Sequence, residues 1–129
     1  MEMNIKVIGY VRNKWDEKDK YSADSVMRSV SIVEVKEEFS DGLFKIDKYK
    51  ELNIIFYFDR SEGYKLKTIT HSGDYRGVFA CCSPFRPSSI GVTCVNLIER
   101  RGNMLKVTGL DAMNNTPVLD IKPFTGLQI

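Results

Sequence analysis

Apolar side chains recur along this chain mostly at every second position, in short runs. That is the period of a half-buried strand, not of a helix. Met3–Val11 sets Ile5, Val7, Gly9 and Val11 against Lys6, Ile8 and Tyr10. Val26–Val35 (VMRSVSIVEV) alternates again and is rich in β-branched residues, which suit a pleated surface. Asn53–Phe58 reads as a continuous apolar strand of the kind buried on both faces. Tyr64–Thr70 alternates once more. Ile90–Ile98 and Met104–Leu110 form a pair joined through Arg100-Arg101-Gly102-Asn103, a hairpin-type connection. Val118–Ile121 makes a short final strand between Pro117 and Pro123. Between these runs, Arg12–Ala23 is polar and crowded with charge, so a mobile loop is expected there. Ser40-Asp41-Gly42 is a turn, and Ile46–Leu52 holds enough helix formers for a turn or two of helix. Strands returning about every ten residues, without a long helical period, predict a mainly β fold. The expected architecture is a small single-domain β-barrel, closed or nearly so, spanning residues 1–129.

Composition narrows the function more than the fold. The chain has 129 residues, 43% hydrophobic and 28% charged, long enough for a real core and too apolar for disorder. No apolar stretch approaches the roughly 20 residues that span a bilayer. Met1–Val11 lacks a basic start, an apolar centre and a small-residue cleavage site, so a cytoplasmic protein with no membrane partner is expected. Net charge is only +2. Arg60–Ile129 carries nine Lys/Arg against five Asp/Glu, a local excess of +4, whereas Met1–Glu38 carries seven against eight. The basic half suits an anionic partner or an ordinary solvated surface equally well. Cys81, Cys82 and Cys94 show no C-x-x-C spacing and His71 is the only histidine, which argues against a disulfide scaffold and a zinc site. G-x-G-x-x-G, P-loop and G-x-S-x-G patterns are missing, as is the βαβ period of a Rossmann nucleotide site.

Two segments are too stiff and too polar for mere scaffolding. In Gly77–Gly91 (GVFACCSPFRPSSIG), Pro84 and Pro87 fix their own φ and push Ser83 and Arg86 towards extended backbone. Such a loop would hold Arg86, Ser83 and the Ser88-Ser89 hydroxyls in place. In Gly109–Phe124 (GLDAMNNTPVLDIKPF), Asp111, Asn114, Asn115 and Thr116 form a polar turn leading into a strand. Turns of that kind offer amides and short acceptors to a sugar hydroxyl, an amino group or a purine edge.

Taken together, these motifs resemble the TsaA-like family of TrmO-type tRNA methyltransferases. The family's motifs commonly read GVFATRSPxRPNPIG and GLDxxDGTPVLDIKPY. Ile8-Gly9-Tyr10-Val11 and Leu52–Asp59 also fall where the family has IGxI and its central strand, so the likeness spans nearly the whole chain. The resemblance implies a small β-barrel that forms a homodimer and binds S-adenosyl-L-methionine near the subunit interface. It implies methyl transfer to N6 of threonylcarbamoyladenosine in the tRNA anticodon loop. Family cofactor contacts map here onto Asp59, Arg60, Cys82, Val92, Asp111, Ala112, Met113 and Asn114.

Departures fall at the same places. The family's Thr-Arg is Cys81-Cys82, its Asn-Pro is Ser88-Ser89, its strand-ending His is Asp59, and its Asp-Gly turn is Asn114-Asn115. Some full-length members also carry a C-terminal domain beyond the second motif. Methyl transfer from a sulfonium needs a held donor, an aligned nucleophile and a route for the proton, and no metal. Phe79, Phe85 or Phe124 could face the sulfonium, and Asp111 is the first candidate proton acceptor, a structural turn role being its alternative. Ser83 and Arg86 are candidate substrate or anion contacts, with an ion pair from Arg86 to Asp111 or Asp120 as the alternative. Lys122 reads as a structural ion pair, His71 as a surface residue, and Arg100-Arg101 as phosphate-binding or merely solubilising charge. Cys81-Cys82 reads as a thiol site, a vicinal disulfide or a methyl acceptor, with a pair of small hydrophobes as the alternative. Methylation of a small molecule or thiol, and a module that binds S-adenosylmethionine without catalysis, are the rival functions.

Overall fold

The computed structural model describes residues 1–15 and 23–126. Among these, the strands are β1 (Gly9–Arg12), β2 (Val30–Val35), β3 (Glu51–Tyr57), β4 (Lys67–Ile69), β5 (Tyr75–Gly77), β6 (Ile90–Arg101), β7 (Met104–Thr108) and β8 (Pro117–Pro123). One helix, α1 (Ala23–Arg28), and 3-10 turns at Glu37–Leu43, Ile46–Lys48 and Val78–Ala80 complete the set. Six strands close a barrel in the order β1-β2-β7-β6-β3-β8, while β4 and β5 pair separately. Every neighbouring pair in the barrel is antiparallel.

Alternation along the strands fills the barrel. Val33 and Val35 of β2, Leu52, Ile54 and Phe56 of β3, and Leu105 and Val107 of β7 all point into one core and are essentially buried. Full burial of such a side chain stabilises by up to about 1.5–3 kcal/mol. β3 corrects its expectation: it alternates, with Asn53 and Ile55 half-covered and Glu51 and Tyr57 exposed, because one face looks inward.

Several boundaries differ from the pattern for physical reasons. β1 covers only the end of Met3–Val11, since no neighbour covers Met3 or Ile5 and both stay exposed. Val26–Arg28 is helical, and the strand begins only at Val30. There the Ser29 hydroxyl and amide both donate to the Val26 carbonyl, at 2.8 and 3.2 Å, so a local bond outweighs β propensity. Ile46–Leu52 shrinks to one 3-10 turn because Leu52 is committed to the core. β4 is less than half the expected length and pairs with β5, a strand the pattern does not reveal. β6 runs through Arg100 and Arg101, leaving Gly102-Asn103 as the turn, with Gly102 at φ 58°. The loop expected over Arg12–Ala23 lies largely outside the described residues, at 16–22; its first residue belongs to β1 and its last to α1.

The strand registers put both motif segments at one end of the barrel. Tyr57 pairs with Ile90 and Phe56 with Val118, so residues 58–89 and 109–116 emerge side by side. The long excursion from β3 to β6 is pinched at its base where the Phe58 amide donates to the Ser89 carbonyl at 2.8 Å.

Candidate functional site

A cleft of ≈ 710 Å³ opens at this barrel end. Phe56 and Phe58 contribute its aromatic wall, and Ile90–Thr93 of β6 form the adjoining one. The proline-braced loop adds Cys81, Cys82, Pro84 and Arg86, and the β7–β8 connection adds Asp111, Ala112, Met113 and Thr116. His71, in the turn after β4, and Ser61 complete the lining. The volume lies within the range of small-molecule and cofactor sites.

Each wall has a local cause. Phe56 and Phe58 meet edge to face, ring centres 5.2 Å apart, directly against Gly91. A Cβ at Gly91 would lie 2.7 Å from Phe56 ring carbons and 2.8 Å from Phe58 Cζ, so glycine is what lets the aromatic pair sit there. The loop braces itself: Arg86 Nη1 donates to the carbonyls of Cys81 at 2.8 Å and Ser83 at 3.3 Å. The Phe85 amide donates to Ser83 Oγ at 3.2 Å, and Cys81 Sγ to the Val78 carbonyl at 3.5 Å. A guanidinium has five N–H donors, so these bonds leave capacity for a ligand anion.

The Asp111–Thr116 turn is tied to β1. The Asn115 amide donates to the Val11 carbonyl at 2.7 Å, and the Val11 amide to the Thr116 carbonyl at 2.9 Å. Asn115 adopts φ 71°. The TsaA-like pattern has glycine there, and asparagine is among the few other residues that accept the left-handed region at low cost. The departure therefore leaves the turn intact.

Of the residues singled out from the sequence, Cys82, Val92, Asp111, Ala112, Met113 and Arg86 converge on the cleft. Asp59, Arg60, Asn114 and Ser83 lie outside its lining. Asp59 is exposed at the strand end. Arg60 Nη2 donates to the Asn114 carbonyl, and Asn114 Oδ1 accepts from the Asn13 amide at 3.0 Å. Ser83 is engaged by Phe85, as above. The aromatics expected at the site, Phe79, Phe85 and Phe124, are exposed and outside its lining, in which Phe56 and Phe58 are the aromatic residues. Phe56 and Phe58 stand two residues apart, and the period of an extended chain puts both on one face, which is the signal the sequence carries for them. His71 is exposed, as expected, yet lines the cleft, because β4 and β5 carry their turn over it.

Charge within the cleft comes from Asp111 and Arg86. Among the described residues no ion pair joins Arg86 to Asp111 or Asp120. Asp120 pairs with Lys122 at 2.9 Å, the structural role expected of that lysine. Arg100 donates to the carbonyls of Gly102 and Leu43, and Arg101 pairs with Glu99 at 3.3 Å, so both hairpin arginines have intramolecular partners. No cluster of three or more metal-ligating side chains occurs among the described residues, and none of their helices is long and apolar enough to cross a membrane.

A closed six-stranded barrel with a mixed apolar and charged cleft, walled by a proline-braced loop and a polar turn, defines a small barrel domain with one end open as a cleft. The family model for the tRNA-methyltransferase O N-terminal domain matches residues 10–127, and the chain belongs to that family. A crystal structure of TrmO from Pseudomonas aeruginosa superposes with a TM-score of 0.77 at 26% identity, over 97% of this chain and 57% of that one. An S-adenosyl-L-methionine-binding protein of Archaeoglobus fulgidus is 33% identical over 125 residues, 95% of this chain and 90% of its own length. A tRNA (adenine(37)-N6)-methyltransferase of Rattus norvegicus is 35% identical over 87 residues, 64% of this chain and 20% of its own length. The chain also spans 35% of a probable S-adenosyl-L-methionine-binding protein of Archaeoglobus fulgidus and 50% of one from Pyrococcus abyssi.

Proposed function

We propose that the cleft binds S-adenosyl-L-methionine and that the protein is a methyltransferase acting on tRNA, at N6 of threonylcarbamoyladenosine. The observation that carries the proposal is the convergence of both motif segments, through Cys82 and Arg86 on one side and Asp111–Met113 on the other, upon one cleft. The lining fits the group. Phe56, Phe58, Ile90 and Val92 offer apolar surface to an adenine ring and a thioether chain. Arg86 would hold the methionine carboxylate, supplying the cation that Cys82 does not, and Asp111 would accept from the ammonium or the ribose hydroxyls. S-adenosylmethionine supplies an activated methyl group on a sulfonium. The chain's own work is to hold and align: the walls fix the approach of the accepting nitrogen to the methyl group. Asp111, a carboxylate exposed at the cleft, takes the proton from that nitrogen.

A second reading has one finding in its favour. The archaeal relative of which the chain covers 90% is named for S-adenosyl-L-methionine binding alone. Titration calorimetry and a labelled-donor assay separate the two. Saturable heat with S-adenosylmethionine, and label transferred to bulk tRNA nucleosides, are expected; binding without transfer leaves the binding module, and no heat at millimolar ligand sinks both. Arg86→Ala should weaken binding at least about tenfold, the scale of one lost charge-assisted contact. An unchanged affinity in folded protein would leave Arg86 as a loop brace only.

A further inference from the structure

The Asp111–Met113 wall of the cleft lies in the connection between β7 and β8, and the bonds to β1 reach that connection only beyond it, at Asn115 and Thr116. The wall itself is anchored by Asn13, the residue that follows β1. Its side-chain amide donates twice, to the Ala112 carbonyl at 2.8 Å and to Ser31 Oγ, fully buried in β2, at 3.0 Å. Its Oδ1 accepts from the Trp15 amide at 2.9 Å, which fixes which end of the carboxamide faces the wall. Its backbone amide donates to Asn114 Oδ1 at 3.0 Å, and the Asn114 amide returns the bond to the Trp15 carbonyl at 2.8 Å. Asn13 and Trp15 thus clasp the connection across about a hundred residues of sequence, at Ala112 and Asn114, with Met113 between the two anchor points and Asp111 next to the first.

We infer that Asn13 is a positioning residue of the site: by holding the Ala112 carbonyl and the Asn114 side chain, it sets where Asp111 and Met113 stand in the cleft. Asn114 then belongs to the same clasp and not to the ligand contacts. The role rests on the cleft being the S-adenosylmethionine site, and it extends that reading to residues outside the motifs. No other residue type of this size both donates twice and accepts in the plane of one group. The substitution Asn13→Asp would keep the shape and the Trp15 bond but, once ionised, would set an acceptor against the Ala112 carbonyl.

The test uses Asn13→Asp and Asn13→Ala against wild type, with two measurements. Hydrogen exchange read by mass spectrometry should show the 110–116 segment exchanging at least about tenfold faster in both variants, while β3 and β6 keep wild-type protection. Calorimetry with S-adenosylmethionine should show about tenfold weaker binding, with the isosteric Asn13→Asp at least as impaired as Asn13→Ala. Wild-type binding by Asn13→Asp, or wild-type exchange at 110–116, overturns the inference; so does uniform loss of protection across the barrel, which would make Asn13 a general stability residue. If wild type itself binds no S-adenosylmethionine, the functional reading fails, while the exchange result still decides the clasp.

Discussion

At the scale of single residues, the cleft depends on one missing side chain. A Cβ on Gly91 would collide with two aromatic rings at once, and those rings, Phe56 and Phe58, form the cleft wall. Phe56 is almost fully buried and cannot swing away without emptying core volume. Gly91→Ala is therefore expected to cost about 1–3 kcal/mol by overpacking, seen as a lower urea midpoint with an unchanged slope. It should also weaken ligand binding, because the rings must tilt into the cleft. A variant as stable as wild type would mean that the pair relaxes freely. Sequence motifs reached Cys82, Arg86 and Asp111–Met113 because their chemistry is written in consecutive residues. They could not reach Phe58, Thr93 or His71, which come to the cleft only through strand register and the fold of a hairpin. Nor could they show that Asn114 turns its side chain to Asn13, a bond between residues far apart in the chain.

At the scale of elements, alternation marks most of the barrel strands because each buries one face, whereas β3 reads as continuously apolar since Ile55 and Tyr57 fill its outer face. Alternation does not show where pairing stops. The ends of β1, β2 and β4 are set by partners and by the Ser29 bonds, none of which leaves a period in the sequence. The β3–β6 pair carries a testable consequence on its outer face. Its register sets Asn53 opposite Cys94 and Glu51 opposite Asn96, so Glu51 sits diagonally beside Cys94, whose Sγ donates to Glu51 Oε2 at 3.4 Å. Burial first, then the hydrogen bond and the charge of Glu51, push the Cys94 thiol above its ordinary range. The thiolate is the reactive form, so at pH 8 Cys94 should alkylate with iodoacetamide more slowly than an unhindered thiol. Glu51→Gln, which removes the charge, should speed that reaction. In the window between the unfolded and the folded pKa, the folded chain keeps a proton that the unfolded chain releases, so stability falls there as pH rises. This contribution is full below the unfolded value and is lost as pH rises through the folded one. Peptide mapping of alkylated protein at several pH values checks the order, and an unchanged Cys94 rate in Glu51→Gln would remove Glu51 as a cause.

At the scale of the whole molecule, the barrel is closed by its shortest member. β1 has four residues and meets β8 in only two register pairs, Gly9 with Val118 and Tyr10 with Pro117. Proline has no N–H to give, so the seam leans on the flanking bonds, from the Ile8 amide to Val118 and from the Val11 amide to Thr116. On its other side, β1 lies so close to β2 that a Cβ on Gly9 would fall 2.3 Å from the Glu34 carbonyl oxygen. That obstacle is backbone, which cannot rotate aside. Gly9→Ala should therefore displace β1 from the barrel and cost about 2–4 kcal/mol, in the range of strained core substitutions. Gly42→Ala, where a Cβ meets nothing within 4 Å, is the control and should stay within about 0.5 kcal/mol of wild type. Because Val11 also accepts the Asn115 amide, freeing β1 releases the turn that carries Asp111. The seam and the cleft should fail together. In urea titrations of Gly9→Ala, binding of S-adenosylmethionine should be lost at or before the unfolding midpoint and never after it. Retained wild-type stability in Gly9→Ala would show that the barrel closes without this close approach.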